Sequence, residues 1–118
     1  MYIESFKQLT VWQKSITLVK EVYTTTDSLP RAELYGLVSQ MRRCAVSIPS
    51  NIAEGKKRKT RKDFIQFLRI ADGSAAELET QIIISKDLYP KADYSKISSL
   101  LEEVQKMLIT IIKKLENN

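Results

Sequence analysis

The stretch "LYGLVSQMRRCAVSIPSNIAEG", residues 34–55, raises one question: is it one helix or two? Leu34, Leu37, Met41, Cys44/Ala45, Ile48 and Ile52 recur at steps of three and four, the spacing of one helix face. Pro49 falls inside that pattern, where it removes the hydrogen bond to the Ala45 carbonyl. The apolar register nevertheless continues through Ile52. The stretch therefore reads as a single helix kinked at Pro49, with Pro30 placed to start it.

The same spacing extends outward in both directions. Upstream, Leu9, Trp12, Ile16, Val19 and Tyr23 form a helical stripe that "TTTDSLP" ends. Downstream, Gly55 and the basic run after it read as a turn. Thr60 with Asp63 three residues later resembles a capping arrangement, so a third helix is expected to begin near Arg61. Its stripe is Phe64, Phe67/Leu68, Ala71, Ala75, Leu78, Ile82, Ser85 and Tyr89, and Pro90 stops it. Asp93 is placed to cap a fourth helix carrying Ile97, Leu101, Val104, Leu108, Ile111 and Leu115. Four amphipathic helices with short connections predict an all-α fold, an antiparallel up-down-up-down four-helix bundle in one domain over residues 1–118.

Composition narrows the function. The chain of 118 residues is 43% hydrophobic and 28% charged, as expected of a soluble globular domain. Its uninterrupted apolar runs are far shorter than the roughly 18 residues of a spanning helix, so no membrane association is expected. The opening "MYIESFKQL" has no apolar core for a signal peptide. The lone Cys44 fits a reducing, cytoplasmic setting and reads as a small core hydrophobe. Histidine is absent, which removes Ser-His-Asp and Cys-His catalysis, Cys/His zinc sites and the Glu-x-x-His di-iron motif. Glu54, Glu77 and Glu79 near "SIPSNIAEG" could be imagined as a carboxylate site. Glu77 and Glu79, however, lie two apart on a helix and diverge. Asn51 and these glutamates are better read as partners of backbone amides freed around Pro49. No catalytic residue, metal or cofactor is expected.

Charge is the unusual feature. Lys56, Lys57, Arg58, Lys59, Arg61 and Lys62 fall within seven positions. The chain has 19 Lys plus Arg and 14 Asp plus Glu, so without the run 13 basic residues face 14 acidic ones. The net +5 therefore resides in that one segment. A solvated turn is the plain reading. Against it, no acid interrupts the run between Glu54 and Asp63, and cations at a helix start oppose the macrodipole. Arg42, Arg43 and Arg69 extend the basic character along the middle helices. Such a patch suits phosphates, with affinity from counterion release and no base-reading motif. Trp12, Phe64 and Phe67 read as core, not as stacking platforms for bases.

The middle helices also carry a second face: Gly36, Ser39, Gln40, Arg43, Ser47, Ser50 and Glu54 on one, Gln66, Arg69, Gly73, Ala76, Glu77 and Thr80 on the other. Gly73 costs about 1 kcal/mol relative to Ala within a helix, so close approach of another backbone, across the bundle or from a second subunit, is one reading. A solvated face is the other. Gly36, Gln40, Ser47, Ser50, Arg69, Gly73 and Ala76 are the candidate oligomer contacts.

"VWQKSITLVKEVY" (11–23), "YGLVSQMRRCAVSIPSNIAEG" (35–55) and "FIQFLRIADGSAAELETQIIIS" (64–85) resemble the four-helix-bundle proteins encoded in intervening sequences of bacterial 23S ribosomal RNA genes. They also resemble the accessory variability determinant of diversity-generating retroelements. The resemblance covers about residues 6–115 and implies a homopentamer. In the retroelement relatives, a basic surface of the pentamer engages nucleic acid and the reverse transcriptase. Carried over, this implies Arg42, Arg43, Lys56, Lys57, Arg58, Lys59, Arg61 and Lys62 as nucleic-acid contacts. Two functions follow as expectations: an oligomeric, non-enzymatic nucleic-acid binder, RNA before DNA, or an oligomeric scaffold for a protein such as a reverse transcriptase or other acidic partner.

Overall fold

A computed structural model describes residues 5–117. After a 3-10 turn at Phe6–Gln8 come four helices: α1 (Thr10–Asp27), α2 (Leu37–Lys56), α3 (Arg61–Leu88) and α4 (Ser95–Glu116). Consecutive helices pack together and α4 closes against α1, while no diagonal pair brings its backbones into contact. Side-chain pairs give the directions. Along α1, Lys14 meets Glu103 and Glu21 meets Lys96, so α4 runs opposite to α1. Ser47 to Ser74 and Cys44 to Gln81 set α2 against α3. Glu79 to Gln105 and Arg69 to Glu116 do the same for α3 and α4. The result is an antiparallel bundle measuring 46 × 21 × 20 Å.

α2 is one helix, and it runs unbroken through Pro49, which is buried. It starts later than the sequence suggests. Pro30 instead opens a separate 3-10 turn, Arg31–Glu33, and the chain changes direction at Gly36 before α2 begins. Leu34 consequently lies outside the helix and is exposed. α3 begins where expected: the Thr60 hydroxyl accepts from the Asp63 amide at 3.1 Å.

α1 corrects its predicted face. The buried positions are Val11, Ser15, Leu18, Val22 and Thr26, one residue away from the expected stripe. Apolar doublets at 11/12, 18/19 and 22/23 make either register readable, and the larger side chains mislead. Trp12 is half-buried in a T-shaped contact with Phe6, and Tyr23 lies outside with Arg42 over its ring. Small polar groups take the interior because they satisfy themselves. The Ser15 hydroxyl donates to the Trp12 carbonyl and the Thr26 hydroxyl to that of Val22, each at 2.7 Å, which removes the penalty of an unpaired buried group. On α4, similarly, Ile112 is buried while Ile111 and Leu115 pack at the margin.

Asp93 caps α4 from just outside it, accepting from the Ser95 hydroxyl at 2.7 Å and the Ser95 amide at 3.0 Å. Those two bonds, the hydroxyl first, hold its carboxyl below the ordinary 3.8. A lowered carboxyl contributes stability above its unfolded value and loses it as pH falls through the folded one. The stability gap between the native chain and Asp93→Ala is therefore expected to narrow below pH 3.8, as measured by urea unfolding across pH. A gap constant down to pH 2 would contradict the cap.

Candidate nucleic-acid interface

The basic run occupies one end of the long axis. Lys56 closes the last turn of α2, Lys57 caps it, and Arg61 and Lys62 open α3. Helix-end carbonyls favour Lys56 and Lys57, whereas the α3 N-terminus favours Asp63 over its basic neighbours. Placement of the run depends on Gly55. This residue is buried inside α2, not in the turn as its identity suggests. A Cβ there would stand 2.6 Å from Phe67 Cβ and 3.1 Å from Phe64 Cδ1. Only glycine lets the end of α2 and the start of α3 approach so closely.

That approach gives the two phenyl rings a second role. The Arg58 guanidinium lies 4.8 Å over Phe67 and the Lys56 ammonium 5.8 Å over Phe64, within range of the ring quadrupole. Both rings remain half-buried, and Phe64 packs against the core. Helical spacing alone reads them as core and misses this role. The signal that points to it is an aromatic pair three residues apart immediately after the run. Arg58 also meets Glu54 at 2.8 Å. Lys57, Lys59 and Lys62 are exposed and have no carboxylate partner among the described residues. At least three charges are thus presented to solvent with no local compensation.

Arg42 and Arg43 are not part of this cluster. At about 1.5 Å per residue, Arg42 stands about 20 Å up α2 from Lys56. Its guanidinium meets Asp27 at 2.9 Å and Thr26 Oγ1 at 3.0 Å, and lies 4.5 Å over Tyr23, tying α2 to the end of α1. Arg43 is exposed nearby. Arg69, two turns into α3, pairs with Glu116.

The candidate oligomer contacts divide. Gln40, Ser50, Arg69, Gly73 and Ala76 are exposed. Gly36 and Ser47 are half-buried, and the Ser47 hydroxyl bonds across to Ser74 within the same chain at 2.7 Å. Gly73 makes no close approach inside the bundle, since a Cβ there would meet nothing within 4 Å. Gly73→Ala is therefore expected to raise folding stability by about 0.5–1 kcal/mol through backbone entropy. Urea unfolding checks the sign, and light scattering on the same variant reads whether the added methyl disturbs self-association.

The carboxylates do not converge. Glu54 pairs with Arg58, Glu79 accepts from Gln105 at 3.0 Å, and Glu77 lies near Cys44. Asn51 donates to the Ser47 carbonyl at 2.8 Å, which corrects the expected bond to an amide. A proline frees a carbonyl and has no amide to release. Cys44 is buried, and burial pushes its thiol up; the bond from Gln81 offsets this in part and the Glu77 carboxylate adds to it. Among the described residues no group of His, Cys, Asp or Glu could hold a metal ion, and no helix is long and apolar enough to cross a membrane.

Comparison with known proteins places this geometry in a lineage. A crystal structure of a protein of unknown function from the S23 ribosomal protein family of Bacteroides thetaiotaomicron is similar, with a TM-score of 0.78 and 28% identity. The match covers 88% of this chain and 99% of that one. No curated protein matches. The family model described as "23S rRNA-intervening sequence protein" matches residues 7–110, nearly the whole bundle and all of the basic run with it. The chain belongs to the 23S rRNA-intervening sequence protein family.

Proposed function

We propose that this chain is a non-enzymatic, cytoplasmic protein that self-associates, as a pentamer, and binds nucleic acid, RNA before DNA, through the basic end of its bundle. One observation carries the reading. Six basic side chains are gathered where α2 meets α3, and Lys57, Lys59 and Lys62 point no charge at any acid of the described chain. Counterion release from phosphates rewards such an arrangement without base-specific contacts. Self-association multiplies it, and multivalent display raises avidity by about 10²–10⁴ with no new kind of contact.

Light scattering tests both halves: the assembly mass is measured with and without a short structured RNA near 150 mM salt. A pentamer that gains RNA mass supports the reading. A monomer refutes the assembly, and a pentamer indifferent to RNA refutes that ligand.

A scaffold function has its own observation. Tyr35, Ile83, Ile84 and Leu88 are exposed apolar side chains, and the Tyr89–Glu33 hydrogen bond places Tyr35 at the α3 C-terminal end, opposite the basic run. A protein partner recovered on that end, with no RNA affinity at the other, would favour the scaffold.

A further inference from the structure

The tertiary fold adds a lysine that the basic run does not contain. Ser5, Phe6 and Lys7, from the 3-10 turn at the start of the described chain, lie beside Lys56 and Lys57 and enclose with them a recess of about 400 Å³. No carboxylate lines it. Lys7 and Lys57 have no acidic partner among the described residues, and Glu54, the nearest acid along α2, is drawn away to Arg58. Three lysines therefore line one recess.

The local structure holds the recess open. Ser5 Oγ accepts from the Lys7 amide at 3.1 Å, which fixes the turn and leaves the hydroxyl hydrogen available to donate. The Lys7 carbonyl accepts from Gln13 Nε2 at 2.9 Å. Phe6 rests edge-on against Trp12, with ring centroids 5.4 Å apart, so the turn is anchored to α1. On the other wall, the Lys56 ammonium lies over Phe64.

We propose that this recess is a phosphate-binding notch: Lys7, Lys56 and Lys57 clamp one phosphate group of a nucleic-acid backbone, and the Ser5 hydroxyl donates a further hydrogen bond to it. The identity of the phosphate as part of a strand rests on the function proposed above. The notch as a phosphate site does not. Lysine suits the task as a point charge on a flexible stem that needs no fixed bidentate geometry. The notch also orients a strand, leading it from α1's entry across the end of α2 toward Lys59 and Lys62.

The test uses the full chain, Lys7→Gln, and Lys20→Gln as a control from the middle of α1. Both positions are exposed, and thermal unfolding confirms that both variants fold. The first arm is an NMR titration with pyrophosphate. Saturable shifts at the Ser5–Lys7 and Lys56–Lys57 amides are expected in the native chain and in Lys20→Gln, and are lost in Lys7→Gln. The second arm measures affinity for an RNA hairpin against salt. Complete loss of one phosphate contact lowers the slope of log affinity on log salt by about 0.9, equivalent to about fivefold near 150 mM, so Lys7→Gln, which takes one of three charges from that phosphate, is expected to lower affinity by about twofold to fivefold. Absence of pyrophosphate shifts overturns the notch. RNA binding that is unchanged in Lys7→Gln overturns the strand assignment while leaving the proposed function standing. Pyrophosphate binding without any RNA binding supports the notch as a site for a free phosphate and refutes the nucleic-acid reading.

Discussion

Replacing Lys56, Lys57, Arg58 and Lys59 together by Ser is expected to lower RNA affinity about a hundredfold near 150 mM salt. Each phosphate contact contributes about 0.9 to the salt slope, or about fivefold at that concentration, and with Lys56 and Lys57 sharing one phosphate three contacts multiply. The slope itself is expected to fall by about 2.7. Loss of Arg58 also leaves Glu54 without its partner at 2.8 Å, placing an uncompensated negative charge beside the strand. Stability changes much less. The four side chains lie at the surface of the turn, and the cation–π interactions over Phe64 and Phe67 that disappear with them are each worth about 0.5–1 kcal/mol. The assembly mass is expected to stay the same, because none of the four is among the candidate oligomer contacts. Affinity that survives the change would remove the run from the interface, and loss of assembly would make the run a subunit contact instead.

Gly55→Ala is expected to destabilise the fold by about 1–2 kcal/mol. The new methyl would meet Phe67 Cβ at 2.6 Å, and a Cβ is fixed to its backbone, so no rotamer change relieves the clash. The ends of α2 and α3 must separate, a distortion of the kind that costs about 1–3 kcal/mol, offset by the better helix propensity of Ala. The midpoint of thermal unfolding would fall by several degrees, at roughly 4 °C per kcal/mol for a domain of this size. The same substitution at Gly73 has the opposite expected sign, which separates packing from propensity with one chemical change. Because Gly55 also sets the spacing of Arg58 and Lys56 from their rings, RNA affinity is expected to drop in Gly55→Ala even where the protein remains folded. A rise in the unfolding midpoint would show that the helix ends have slack.

Both predictions concern residues whose roles differ in legibility. The basic run is contiguous, so its existence needed no structure. Its neighbours did. Lys7 joins it only because α1 and α2 are antiparallel neighbours, which carries the start of the chain to the end of α2. Arg42 moves the other way: adjacent to Arg43 in a basic pair, it is spent on Asp27 and Thr26 at the end of α1. Local sequence cannot report either fact, since ion pairing depends on which helix faces which.

Helix identity, order and most boundaries were readable from apolar spacing because each helix must bury one stripe, and that need is written every three or four residues. The caps at Thr60 and Asp93 were readable for a similar reason, as each is a bond between near neighbours. What spacing left open was the choice between adjacent registers. On α1 the bundle buries Ser15 and Thr26 and leaves Tyr23 outside, because those hydroxyls bond back to their own helix while the Tyr23 ring lies under Arg42. Gly55 is the same lesson in reverse. A glycine after a helical pattern reads as a stop, yet here the missing side chain is what lets a second helix pack against the first. Periodicity is a property of one segment and survives in the sequence; register, close approach and the pairing of charges are properties of two segments, and they exist only once the helices have met.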